Sequence, residues 1–367
     1  MPAAVPHIDH GMFIMPFHAP DKPISQACDE DLELIIRAEE LGFKEFWIGE
    51  HHTMKYEPIV MPEIFIARAL GETKTIRLGP APVCLNQHHP AHVASRLSFL
   101  DHLSKGRLNL CFGNGSVTAD QELYGADPKD GGAMALEAID VILDLWSHDP
   151  PYVHKGKFWQ FELKKSVDAE SLIGYIHKPY QLPHPPISMP GMSRNSFSMK
   201  FAGQRGYQPF AHCLVAGNVV ADQWVTYAAA SEEAGRRPNR ADFKVARSIF
   251  IADTTKEAVQ RVRSNSLGRN YEYIGGLFDK GLGRRIYKRD LDMPDSECQL
   301  DYLMSEQIIA GDVDEVLRRL LQLIEETGPF GTLVLMSYDW DDKASWVHSM
   351  ELFAKELMPR LNKAVCG

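Results

Sequence analysis

Eight short runs of β-forming residues, at 11–17, 45–49, 76–83, 107–112, 187–189, 208–211, 244–252 and 331–337, recur along the whole chain with helical patterns between them. That alternation is the signature of βαβ units and a parallel sheet, because parallel strands need a crossover that a helix supplies. Between the strands, apolar residues return at 3.6-residue spacing. Leu32, Ile35, Ile36, Ala38 and Leu41 stop at Gly42, and Val93, Leu97, Leu100 and Leu103 stop at Gly106, each glycine standing where a helix C-cap would. Further helical patterns run over 135–146, 220–234 and 313–324. Eight strands each followed by a helix predict an α/β chain closed as a single (β/α)8 TIM barrel. An open doubly wound sheet is the alternative, and it is harder to build with eight strands.

The chain has 367 residues, longer than the ~250 of a typical barrel. The surplus falls in two stretches that break the rhythm, at about 148–186 and 264–306. The first holds Pro150-Pro151, Trp159, Pro179, Pro183 and Pro185-Pro186, and the second is rich in Gly, Tyr and Arg before Met293-Pro294. Neither differs enough in composition to be a separate domain, so 1–367 reads as one barrel domain with two insertions. Barrel function resides in the βα loops, so both excursions are expected as lids or walls at the C-terminal mouth. Surface elaboration without a role is the plainer alternative.

With 44% hydrophobic and 24% charged residues the composition is that of a soluble globular protein. A formal charge of −10, with no Lys/Arg cluster long enough for a basic arm, argues against a general grip on nucleic acid. No apolar run approaches the ~18 residues of a membrane helix and the N-terminus has no leader pattern, which predicts a cytoplasmic protein. Six cysteines lack CxxC spacing, and Cys84, Cys111 and Cys213 sit in strand-like runs as buried thiols would. Neither a disulfide nor a thiolate metal site is expected.

Ile48-Gly49-Glu50-His51-His52 places a carboxylate and two imidazoles at the end of the second strand, where barrel residues converge on a reaction centre. A histidine moves protons near neutral pH, and a neighbouring carboxylate can fix its tautomer. A metal half-site or a plain strand-end polar pair would read the same way. Adjacent strand residues point to opposite faces, so His51 alone is expected to face the axis, and no metal is expected. Ser193-Arg194-Asn195-Ser196-Phe197-Ser198 opens a helix with residues that serve equally as an N-cap or, with Arg194 and the free helix amides, as an anion site. Gly113-Asn114-Gly115 is a tight turn without the third glycine of a dinucleotide fingerprint. Phe13, Met15, Phe17, Trp47 and Met189 read first as barrel core.

Glu50-His51-His52, Leu100-Asp101-His102-Leu103-Ser104-Lys105-Gly106-Arg107, and Gly191-Met192-Ser193-Arg194-Asn195-Ser196-Phe197-Ser198 followed by Gln204-Arg205-Gly206 occur in that order. In these the chain resembles the bacterial luciferase-like monooxygenases. Asn195-Ser196-x-Ser198-Met199, His88-His89-Pro90, Tyr338-Asp339-Trp340 and Glu351-Leu352-Phe353-Ala354-Lys355 bring it nearest the diketocamphane Baeyer–Villiger and limonene-monooxygenase-like branch. The resemblance implies that His51 matches the catalytic histidine, acting beside the flavin as proton donor, acceptor or stabiliser. It implies that Ala81-Pro82 is a cis peptide under the flavin ring, with Glu50 and Asn114 at the same rim. It also turns the 191–198 segment from a plain cap into the FMN phosphate site, formed by Gly191, Met192, Ser193, Arg194, Asn195, Ser196 and Ser198. Pro80 departs from the pattern, and Asn114 stands where luciferase has an arginine that holds the phosphate.

With no GxGxxG motif, the resemblance implies an oxygenase that receives FMN in its reduced form from a separate flavin reductase. With O2 it would hydroxylate or Baeyer–Villiger oxygenate a small organic substrate. A homodimer through the helices near 62–70 and 90–103 is implied as well. The alternatives are an F420-dependent oxidoreductase of the same superfamily, a non-catalytic flavin-binding protein and, more remotely, a metal-dependent barrel hydrolase.

Overall fold

The computed structural model describes residue 5 and residues 7–15, 17–280 and 283–366. Its contacts divide the chain into two compact units, Met1–Trp47 with Met189–Gly367, and Ile48–Ser188. The first unit opens with β1 (Asp9–Ile14), α1 (Ile24–Glu40) and β2 (Glu45–Ile48), the last residue of which belongs to the second unit. That second unit continues with α2 (Pro62–Glu72), β3 (Arg77–Pro80), β4 (Val83–Cys84), α3 (Pro90–Ser104), β5 (Leu110–Gly113), α4 (Thr118–Leu123), α5 (Gly131–Ser147), β6 (Tyr152–Lys155) and β7 (Gln160–Leu163). The chain re-enters the first unit along β8 (Ile187–Gly191), then forms α6 (Phe197–Arg205), β9 (Gln208–Ala211), α7 (Gly217–Glu233), β10 (Lys244–Ile251), α8 (Thr255–Val262) and α9 (Ser266–Asp279). It ends with α10 (Leu300–Glu306), β11 (Ile308–Gly311), α11 (Val313–Thr327), β12 (Thr332–Ser337), α12 (Lys343–Leu352) and α13 (Met358–Cys366).

All eight strands read from the sequence are present, each followed by a helix, and the chain is an α/β protein of the (β/α)8 class. Of the run at 11–17, Pro16 lies outside the described residues, and the strand is displaced to Asp9–Ile14. The run at 76–83 is interrupted: β3 and β4 flank the cis Ala81–Pro82 bond. Three strands escaped the sequence reading, the β6–β7 pair and β11. β11 runs parallel to the outer half of β10, with Ser248 opposite Ile308 and Ile251 opposite Gly311, and Ile-Ile-Ala-Gly is too short to stand out as a periodic run.

Within the first unit the strands run parallel in the order β2, β1, β12, β10, β9. Phe46, Trp47, Leu333 and Val334 are fully buried there. Glu45 takes Lys244 at 2.7 Å and the Trp47 indole at 2.9 Å, a buried ion pair with its hydrogen bonds supplied. Gly11 has no side chain because one would lie 2.7 Å from Glu45 Cγ. Within the second unit β5 pairs with β4 and with the start of β8, and Ala81 N–H donates to Ile48 O at 2.8 Å.

The stretch Leu100–Arg107, so diagnostic in the sequence, is a helix stop. Lys105 and Gly106 both take positive φ after α3, and the buried Asp101 accepts both the backbone and the side-chain amide of Gln181, at 2.7 and 2.8 Å. Arg107 donates to Thr73 Oγ1 and to the carbonyls of Ile76, Leu70 and Thr73, closing the connection that follows α2.

The 148–186 excursion sits at the C-terminal rim only in part, which corrects the expectation of a mouth insertion. The β6–β7 hairpin climbs back along α5, where the Glu137 carboxylate accepts the backbone amides of Lys157, Phe158 and Trp159 and pairs with His154. Its tip brings Trp159 against His89 at the start of α3. The return leg then runs to the opposite end: Lys178 donates to the carbonyls of Leu145 and His148 at the end of α5, and Gln181 to Leu108 O at the start of β5. The reason is topological, since a parallel β8 must begin where β5 begins. The 264–306 excursion, of which 281 and 282 are not described, packs within its own unit, and Arg289 reaches Glu326 in the last turn of α11. Ser266 donates to Asp339 O, just past β12, and the Tyr271 hydroxyl lies 3.0 Å from Ser248 Oγ.

Candidate active site

β2 ends at Ile48, so Glu50, His51 and His52 lie in the loop after it and strand alternation does not govern them. This corrects the expectation that one imidazole points inward because its neighbour points out. Partners, not pleat, separate the two. His52 Nε2 is 2.9 Å from Glu50 Oε1 and its Nδ1 is 3.0 Å from the Tyr124 hydroxyl. His51 instead puts Nε2 3.2 Å from Glu57 Oε2 and Nδ1 3.5 Å from Asp120 Oδ2.

Glu50 is the hub of the first set. Oε1 also takes His88 Nε2 at 2.6 Å, while Oε2 accepts the Cys84 amide at 3.1 Å, directly after the cis Ala81–Pro82 step. Burial would push this carboxyl upward, but the hydrogen bonds from His52 and His88 outweigh it and hold the group down at about 2. Glu50, His52 and His88 bring three ligand-type atoms within 4.8 Å. Separations of 2.6 and 2.9 Å are those of direct hydrogen bonds between the carboxylate and the two rings.

Asp120, from α4, anchors the second set. Its Oδ1 accepts the His52 amide, the Thr53 amide and the Thr53 hydroxyl at 3.2, 2.7 and 2.5 Å. Against the upward push of burial, hydrogen bonds from His51, Thr53 and the His52 amide hold it down at about 2. His51 moves the other way. Burial lowers it, and the charges of Glu57 and Asp120 more than reverse that, so it is raised. Around these groups several buried polar atoms have no partner: both amide atoms of Asn86, Gln87 Oε1 and Gln121 Oε1. Each unmet group of this kind costs about 1–3 kcal/mol unless a ligand or water meets it. Asn114 is exposed, with its carbonyl taking Gln121 Nε2 at 3.2 Å.

The phosphate candidates stand in the other unit, around the start of α6. Ser196 caps the helix, accepting the Met199 amide at 3.5 Å, and its Oγ is 2.9 Å from that of Ser198, which donates to Pro190 O at 2.5 Å. Asn195 takes φ 46°, which asparagine tolerates, and donates its amide to Asp222 at 2.7 Å. Arg194 donates to Arg289 O at 2.9 Å, and the Ser193 carbonyl accepts Gln223 Nε2 at 3.2 Å. Met192 is half-buried. At Gly191 a side chain would fall 2.3 Å from Met199 Cε and 2.8 Å from Gln223 Cδ, so both would have to shift to admit one. The cap anticipated from Ser and Asn is therefore formed, and the remaining first-turn amides of α6 are free to face an acceptor.

Sequence reading missed Glu57, Asp120 and Tyr124, and took His88 only as a mark of the branch. Nothing in their spacing signals them, since each reaches the cluster through a loop or a two-turn helix.

Parallel strands followed by helices, with an acid–imidazole cluster in the loops past their C-terminal ends, define a (β/α)8 enzyme. The chain belongs to the luciferase-like monooxygenase family, whose profile matches residues 8–329. It is similar to 4-hydroxyprotoasukamycin monooxygenase from Streptomyces nodosus subsp. asukaensis, 33% identical over 98% of this chain and 94% of that protein. Limonene 1,2-monooxygenase from Rhodococcus erythropolis is 30% identical over 97% of this chain and 87% of that protein. Among solved structures, the oxygenating constituent of 3,6-diketocamphane monooxygenase from Pseudomonas putida, a type II Baeyer–Villiger monooxygenase in complex with FMN, superposes with a TM-score of 0.87. It has 28% identity and covers 97% of this chain and 99% of that one. No helix among the described residues is long and apolar enough to cross a membrane.

Proposed function

We propose that this chain is the oxygenase component of a two-component FMN-dependent monooxygenase. It takes reduced FMN from a separate flavin reductase and puts one atom of O2 into a small organic substrate, by hydroxylation or by Baeyer–Villiger oxygenation of a ketone. The observation that carries the reading is His51, an imidazole held between two buried carboxylates in the loop after β2, in a chain of this family. The unmet amide atoms of Asn86, Gln87 and Gln121 fit a ligand with a polar heteroaromatic edge such as a flavin.

Bound reduced FMN would supply the two electrons that activate O2; the protein's part is to bind, orient and manage protons. Glu50 fixes the Cys84 amide and with it the backbone that follows the Ala81–Pro82 step, on which the ring would rest. Gly191, Met192, Ser193, Arg194, Asn195, Ser196 and Ser198 would hold the phosphate through the α6 amides and hydroxyls. His51 would supply a proton or a fixed positive charge where negative charge develops on oxygen. This reading places the enzyme in the cytoplasm, where an NADH-dependent reductase can feed it, and pairs it as a homodimer.

The test is oxygen uptake and product analysis with a flavin reductase, NADH and FMN against a panel of cyclic ketones, terpenes and aromatics. One atom from labelled O2 should appear in a product. Oxygen uptake no greater than with the reductase alone, together with hydride transfer from reduced F420, would replace the reading with the deazaflavin one.

A further inference from the structure

His51 differs from His52 and His88 in having a carboxylate at each ring nitrogen. The Glu57 and Asp120 side chains are 0% and 2% exposed, whereas His51 keeps 17%. Neither acid is loosely placed. Three donors fix Asp120 Oδ1, two from Thr53 and one from the His52 amide, which leaves Oδ2 for His51. Glu57 belongs to the same loop as its partner: its amide donates to Met54 O at 3.1 Å, and the His51 amide reaches Ile59 O at 3.4 Å, closing the loop on itself. The loop after β2 and helix α4 therefore hold one ring from two sides.

Resting on the reading of His51 as the proton-managing group, we propose that Glu57 and Asp120 are positioning residues. They keep His51 as an imidazolium of fixed orientation, so that it serves as a proton donor and standing cation rather than as a base. Both contacts are charge contacts at the long end of hydrogen-bond range: Glu57 Oε2 lies 3.2 Å from Nε2 and Asp120 Oδ2 3.5 Å from Nδ1, the longer of the two. The Nδ1–H is held near an anion by a long contact, so it remains available to an acceptor that arrives beside the ring. After donation, the neutral ring between two anions regains a proton from solvent, and the cycle closes with no other acid. The charged neighbours favour this state. Glu50 adds a third negative charge, and its own partners His52 and His88 are turned to Glu50 rather than to His51. The nearby Cys84 thiol is pushed well above its ordinary range by burial and then by the neighbouring carboxylates, so it stays neutral. Burial opposes the imidazolium, and Glu57 and Asp120 overcome it.

The experiment is an NMR titration of isotopically labelled histidine in the protein without flavin, with the His51 signal assigned by its loss in His51→Gln. In the unsubstituted protein His51 should titrate above its ordinary 6.5. Glu57→Gln and Asp120→Asn should each lower that midpoint by about one unit or more, and Asp120→Glu should restore most of it. With the reductase system, the alkaline limb of coupled product formation should move down in the same variants, in kcat more than in KM, with FMN affinity within a few-fold. A His51 midpoint at or below 6.5 in the unsubstituted protein overturns the proposal whether or not any variant folds. A raised midpoint with an unmoved alkaline limb also overturns it. If no flavin-dependent oxygenation is found at all, the functional reading fails, while the titration still decides whether the two acids hold His51 protonated.

Discussion

His88 Nε2 lies 2.6 Å from Glu50 Oε1, the atom that His52 Nε2 approaches at 2.9 Å, so one buried carboxylate oxygen aligns two imidazoles. Replacing Glu50 by Gln keeps the shape but offers a single acceptor oxygen to three donors, the two rings and the Cys84 amide. Leaving a buried donor unmet costs about 1–3 kcal/mol, so Glu50→Gln should lower the urea unfolding free energy by that order. An unchanged midpoint would mean that the rings find other acceptors.

His51 and His52 should separate in function as they do in partners. His51→Ala should leave FMN binding within a few-fold of the starting protein, cut coupled product by about 10²–10⁴-fold and raise hydrogen peroxide release. His52→Ala removes a donor from Glu50 and a partner from Tyr124, so its effect should appear first in stability, with a smaller loss of product. Peroxide release and product yield measured side by side decide this. Equal loss in both variants, with FMN binding gone as well, would make the pair structural.

The sequence makes the strand–helix alternation legible because binary periodicity is local, and it makes His51 legible because strand ends in this class carry chemistry. The two acids that flank His51 are not legible. Asp120 reaches it across 69 residues and Glu57 around an irregular loop, and no spacing rule encodes a contact that only tertiary folding creates. Leu100–Arg107 shows the converse. That stretch carries much of the family resemblance, yet Asp101 and Arg107 tie off a helix and a loop and take no part in the acid–imidazole cluster. The 148–186 excursion was misplaced for a similar reason. Its prolines mark irregular chain, but the ends to which Glu137 and Asp101 pin it depend on partners more than twenty residues away.

A second charged cluster, in the other unit, has a pH signature. The buried His18 ring lies 3.0 Å from Asp31 Oδ2 and 2.7 Å from Asp339 Oδ1, with Lys22 also on Asp339. Burial would lower His18, but the hydrogen bonds to Asp31 and Asp339 prevail and raise it from 6.5 to about 9. A group raised on folding stabilises fully below its unfolded value and loses that contribution as pH climbs through the folded one. The contribution is thus present below pH 6.5 and gone above about 9. It amounts to ~3 kcal/mol at most, reduced by the burial of Asp31. Urea midpoints of the unsubstituted protein should fall between pH 6.5 and 9.5 more steeply than those of His18→Gln. Parallel curves would show that the cluster does not titrate in this range.

The helices expected to pair two copies keep large apolar side chains in solvent. Ile64 on α2 is 69% exposed and Phe99 on α3 is 62%, with Val60 and Leu103 nearby in sequence also exposed. The competing expectation, that the 148–186 excursion covers these helices, holds only in part: it meets α3 at His89 through Trp159 and at Asp101 and His102 through Gln181, Lys178 O and Tyr180, leaving Ile64 and Phe99 open. Burying such side chains against a second copy is worth about 1.5–3 kcal/mol each, and on an isologous face each counts twice. Sedimentation at micromolar concentration should therefore give a dimer. The double replacement Ile64→Glu with Phe99→Glu should shift it to monomer with the far-ultraviolet dichroism unchanged, since neither residue belongs to the core. A monomer for the unsubstituted chain, or a dimer that survives both charges, would remove these helices as the pairing face.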